Sequence, residues 1–85
     1  MIEFSHTVKD PNGIHARPAG LLVKEASRFH SDMTLQKNGK YANMKGLFSL
    51  LSLSVKGGES VTVTVTGTDE KEAAEAIKNY LKENV

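Results

Sequence analysis

Asn12-Gly13-Ile14-His15-Ala16-Arg17-Pro18-Ala19-Gly20 reads as a tight turn that runs straight into the start of a helix. Asn12 and Gly13 tolerate the left-handed dihedrals of such a turn. Pro18 suits the first turn of a helix, where its missing N–H has no intrahelical acceptor to lose. His15 therefore falls at or just before a helix N-terminus, where free backbone N–H groups and the positive end of the dipole favour an anion. Arg17 adds a guanidinium suited to phosphate oxygens. An imidazole nucleophile beside an anion cradle is the arrangement of a histidine that can carry a phosphoryl group. A lone histidine is more often a surface or capping residue, so the flanking chain has to decide.

Upstream of the turn, Ile2, Phe4, His6 and Val8 alternate with Glu3, Ser5, Thr7 and Lys9, the pattern of a half-buried strand. His6 lies on the apolar phase and reads as a partly buried structural histidine. Asp10-Pro11-Asn12-Gly13 ends the strand with strong turn chemistry. Downstream, the spacing predicts a helix from about Ala16 to Arg28. Ala19, Leu22, Val23, Ala26 and Phe29 form its apolar stripe. Arg17, Gly20, Leu21, Lys24 and Arg28 fall on the opposite, open face.

Further on, Asp32-Met33-Thr34-Leu35-Gln36 alternates again, and Asn38-Gly39 is the signal of a two-residue hairpin turn. Tyr41, Ala42 and Asn43 return as the paired strand. Lys45 to Leu53 is a short, strongly apolar helical segment. Leu50 and Leu53 can face the interior at i and i+3, leaving Leu47, Phe48 and Leu51 on another face. A domain of 85 residues has little interior for five large side chains around one short helix. Part of this segment is expected to be a partner-binding patch. Lys56-Gly57-Gly58-Glu59 is a loop, and Ser60 to Thr66 is the clearest strand, valines on one phase and hydroxyls on the other. Thr68-Asp69-Glu70-Lys71-Glu72 predicts a capped helix start, with Asp69 three residues ahead of Glu72. Ala73, Ala74, Ile77 and Leu81 form the apolar stripe of that last helix.

The expected order is strand, helix, strand, strand, helix, strand, helix (β-α-β-β-α-β-α). With one polar sheet face, this predicts a single α+β domain over residues 1–85, an open-faced sandwich of four antiparallel strands with three helices on one face. Composition narrows the function. A formal net charge of +1 does not advertise a nucleic-acid or anionic-membrane surface. No cysteine is available for disulfides or thiolate metal sites. His6, His15 and His30 lack metal-ligand spacing, so no metal is expected, and His30 near a helix exit receives no chemical role. No apolar run approaches the ~20 residues of a membrane span, and nothing reads as a signal peptide. A cytoplasmic location is expected. No carboxylate cluster for Mg²⁺ and no Gly-rich nucleotide loop is present, so self-loading from ATP is not expected.

Gly13-Ile14-His15-Ala16-Arg17-Pro18-Ala19-Gly20 resembles the active-site motif of HPr, the histidine-containing phosphocarriers of the bacterial phosphotransferase system, and the likeness of layout extends over essentially the whole chain. The resemblance implies an HPr-like fold and a carrier rather than a free-standing enzyme, acting without a cofactor and as a monomer. It implies that His15 accepts a phosphoryl group on its δ1 nitrogen from enzyme I, itself phosphorylated from phosphoenolpyruvate, and passes it to enzyme IIA domains in sugar uptake. Arg17 and the backbone N–H groups of Ala16 and Arg17 would hold the phosphoryl oxygens. Leu47, Phe48 and Leu51 would dock partners, with Gly20, Leu21 and Lys24 beside them. Many members carry a regulatory serine at the start of the second helix. Here Gly46 stands at that position, so no regulatory serine is expected. A regulatory HPr-like protein, or a carrier of a nitrogen or dihydroxyacetone branch, would use the same histidine.

Overall fold

The computed structural model describes residues 1–85. The chain forms β1 (Ile2–Thr7), α1 (Ala16–Ala26), β2 (Asp32–Lys37), β3 (Lys40–Asn43), α2 (Leu47–Ser52), β4 (Ser60–Thr66) and α3 (Glu70–Asn84). The four strands make one antiparallel sheet in the order β1-β4-β2-β3. Register follows from the alternation of side chains, because a one-residue slip would turn every valine of β4 to the wrong face. Phe4, Val63, Leu35 and Ala42 stand in one row across the sheet on the inner face. Ser5, Thr62, Gln36 and Tyr41 form the neighbouring row on the open face.

The inner face packs with Ala19, Leu22 and Ala26 of α1, Leu50 of α2, and Ala73, Ala74, Ile77 and Leu81 of α3 into one apolar core. α1 lies against both α2 and α3. Asn38 and Gly39 both adopt positive φ, as the two-residue hairpin turn requires. His6 sits half-buried on the inward phase of β1, and its Nε2 is buried without a hydrogen-bond partner.

Two expectations are corrected. α1 ends at Ala26 rather than Arg28, because the exit tightens: Arg28 and Phe29 donate to the carbonyls of Glu25 and Ala26, three residues back. Asp69 does precede α3, but its carboxylate makes no cap bond within the helix. It accepts instead from the backbone N–H groups of His30 and Ser31, each at 2.9 Å, and from the Ser31 hydroxyl. These bonds hold its carboxyl below the usual carboxylate range. The side chain thus ties the exit of α1 to the start of α3, a contact between segments 38 residues apart.

Candidate functional site

The site begins with a turn that only its own sequence permits. The Asp10 carboxylate accepts from the N–H of Asn12 at 2.9 Å, and the Asp10 carbonyl accepts from Gly13 at 2.8 Å. Gly13 adopts φ +68°, and a Cβ there would lie 2.0 Å from the Val55 carbonyl oxygen. No other residue type fits that approach. Ile14, buried in the core, donates its N–H to the same Val55 oxygen at 3.1 Å. The chain is then delivered, in extended conformation at φ −98° and ψ −176°, to His15 as the N-cap of α1.

His15 spends no side-chain atom on capping, and its imidazole stays exposed. The first hydrogen bond of the helix runs from the Ala19 N–H to the His15 carbonyl at 2.9 Å. The N–H groups of Ala16 and Arg17 have no acceptor in the protein, and Pro18 has none to offer. Two oriented donors and the positive end of α1 therefore flank the imidazole. Arg17 is exposed and pairs with no carboxylate, so its guanidinium is free for an incoming anion. The Asp10 Oδ2 lies 3.7 Å from His15 Nε2, too far for a hydrogen bond.

His15, Arg17 and Leu21 share a shallow cleft of ≈ 210 Å³ with Asp10, Pro18, Tyr80 and Asn84. The Tyr80 hydroxyl donates to the Pro18 carbonyl at 3.0 Å and fastens the first turn of α1 to α3. Burial, with Glu25 nearby, pushes the Tyr80 hydroxyl above its ordinary range, so it remains a donor at neutral pH. Asn84 Nδ2 in turn donates to the Tyr80 carbonyl at 3.0 Å. Asp10, Tyr80 and Asn84 were not among the residues expected at the site. Asp10 was readable as a carboxylate in the turn before the histidine. Tyr80 stands three residues after Ile77 on an amphipathic helix, yet no spacing says that α3 meets Pro18.

Apart from Leu21 on its wall, the other expected site residues lie outside the cleft. Gly20 is half-buried with open space where a Cβ would stand, Lys24 is exposed, and Leu21 is 49% exposed. Gly46 is the N-cap of α2, as a glycine at a helix start allows. Leu50 and Leu53 are buried, while Phe48 is 84% exposed. Leu47 and Leu51 are only half-exposed, each still packed against the core. The apolar patch is thus a projecting phenylalanine with two leucines at its base. α2 is held from outside by lysines. Lys45 Nζ donates to the Phe29 carbonyl at 2.8 Å, at the exit of α1. Arg28 lies on the open side but is occupied by an ion pair with Glu25, and its guanidinium is 5.4 Å from the centre of the Phe29 ring. No group of three or more His, Asp or Glu side chains is placed to hold a metal ion, and no helix is long and apolar enough to cross a membrane.

Comparison with known proteins agrees with this layout. Residues 2–83 match the family model described as the PTS HPr component phosphorylation site. The chain is 42% identical to phosphocarrier protein HPr of Mycoplasma genitalium over 99% of its own length and 97% of that protein's. It is 44% identical to the HPr-like protein Crh of Bacillus subtilis over the full length of both. A solved Mycoplasma histidine-containing phosphocarrier protein superposes with a TM-score of 0.93 at 36% identity, covering 96% of this chain and 93% of that one. Fold, chain order and near-complete coverage coincide, and the chain belongs to the HPr phosphocarrier family of the phosphotransferase system.

Proposed function

We propose that His15 accepts a phosphoryl group from phospho-enzyme I and passes it to enzyme IIA domains in cytoplasmic sugar uptake, the protein acting as a monomeric relay. The observation that carries the reading is the exposed imidazole of His15 at the N-cap of α1, beside the unpartnered N–H groups of Ala16 and Arg17. In the transfer, the lone pair of His15 Nδ1 attacks phosphorus while the bond from phosphorus to enzyme I breaks. The ring gains positive charge as the new N–P bond forms, and Asp10, on the Nε2 side, offsets it. The two amides and Arg17 take up the charge of the phosphoryl oxygens. The donors are few and solvent-exposed, which suits a group that has to leave again. Phe48, with Leu47 and Leu51 at its base and Gly20, Leu21 and Lys24 on the neighbouring helix, supplies the docking surface.

The test is incubation with phosphoenolpyruvate, Mg²⁺ and enzyme I. One acid-labile, base-stable phosphoryl group per chain is expected, absent in His15→Ala and formed more slowly in Arg17→Ala at unchanged melting temperature. Label on His15→Ala, or label on the wild type from ATP alone, refutes the assignment. The full-length similarity to Crh favours a second reading, a regulatory HPr-like protein whose phosphorylation state is read by a target. Transfer of the label onward to a IIA domain separates the two.

A further inference from the structure

Lys37 closes β2, and its side chain is only 14% exposed. A half-buried ammonium needs its three donors satisfied, and here each has one acceptor. Nζ donates to the carbonyls of Leu53 at 3.2 Å and Ser54 at 2.9 Å, and pairs with Glu59 Oε1 at 2.9 Å. The same Glu59 oxygen accepts from the Lys56 N–H at 2.7 Å. Lys37 and Lys56 together hold the Glu59 carboxyl below the usual carboxylate range.

The two carbonyls belong to a demanding place in the chain. Leu53 is the C-cap of α2, and Ser54 follows at φ +50°, a left-handed conformation usually left to glycine. α2 has no basic residue in its own last turn. Lys37 supplies from β2 the cation that such a terminus favours. The next residue is Val55, whose carbonyl receives the Ile14 N–H and sits against Gly13. The connection therefore runs from the Lys37 ammonium through two peptide groups to the hydrogen bond immediately before His15.

We infer that Lys37 is a positioning residue, which sets the Ser54–Val55 backbone on which the His15 loop rests and at the same time anchors the docking helix. This inference rests on the reading of His15 as the phosphoryl acceptor. Its test compares wild type, Lys37→Met, Lys37→Arg and Val65→Ala, the last being a destabilising core change on β4 remote from this connection. Amide hydrogen exchange is measured far below the melting temperature. In Lys37→Met the Ile14 amide should exchange at least about tenfold faster relative to Val63, a selective local opening that Val65→Ala does not produce. The kcat/KM for phosphoryl acceptance from enzyme I should drop about tenfold in Lys37→Met, the scale of a small misplacement of the reacting group. Lys37→Arg, which keeps a cation with N–H donors, should restore most of both. Equal Ile14 exchange in Lys37→Met and Val65→Ala, or an unchanged kcat/KM, overturns the inference. Wild-type protein that takes no phosphoryl group defeats the functional reading by itself, and the Ile14 exchange then decides alone whether Lys37 holds this loop.

Discussion

Phe48 and Leu50 stand two residues apart on the same short helix, and their truncation should have opposite consequences. Phe48 is 84% exposed and Leu50 is fully buried. Phe48→Ala removes about 100 Å² of ring surface that lies in water until a partner covers it. At about 25 cal/mol per Å², full coverage by enzyme I is worth about 2.5 kcal/mol, or about sixtyfold in Kd, and half coverage about eightfold. Phe48→Ala should therefore weaken enzyme I binding by between about eightfold and sixtyfold while the melting temperature stays within about 2–4 °C, as for an exposed change. Leu50→Ala removes the same helix's anchor and should cost about 2–5 kcal/mol of stability, a drop of about 10 °C or more in a domain of this size. Isothermal titration against enzyme I and thermal unfolding by circular dichroism measure the pair. Unchanged affinity in Phe48→Ala would remove α2 from the interface. A loss of stability in Phe48→Ala as large as in Leu50→Ala would return Phe48 to the core.

Two further outcomes follow from single residues. Gly46 has φ −117°, open to any residue, and a Cβ there would lie 3.3 Å from the Ser49 Cβ. Gly46→Ser should fold with stability within about 0.5 kcal/mol of wild type, and only this variant, not the parent, should take phosphate from an ATP-dependent HPr kinase. Gly46→Asp should fold and bind enzyme I more weakly, because its charge stands next to the apolar patch; label on the parent refutes the first expectation and undiminished affinity the second. Burial of His6, with Lys9 nearby, pushes its imidazole below 6.5, so the unfolded chain binds the extra proton first. The stability owed to the neutral ring is complete above pH 6.5 and declines as pH falls from there toward the lower folded value. Equilibrium unfolding from pH 8 to 5 should show a shallower acid-side loss in His6→Leu than in wild type, and identical slopes refute the assignment.

Wherever local chemistry decides the conformation, the sequence already contained the answer. Alternation made β1 and β4 strands with a single inward face, Asn38-Gly39 made the hairpin, and Gly13 to Gly20 placed a histidine at a helix start. Leu50 and Leu53 separated correctly from Phe48 because helical spacing is a local property. Leu47 and Leu51 proved half-buried, since how far the core reaches around α2 depends on neighbours that no spacing encodes. The same limit explains Asp69. Its position predicted a cap within α3, but the N–H groups of His30 and Ser31, brought near only by folding, claimed the carboxylate. Tyr80 over Pro18 and Lys37 on the Ser54 carbonyl also unite residues from distant parts of the chain. The sequence by itself determined which histidine stands at a helix N-terminus, because caps and turns are written within a few consecutive residues. Only the tertiary structure decided what holds that histidine in place, because hydrogen bonds between separate elements exist only once the core has set their distance.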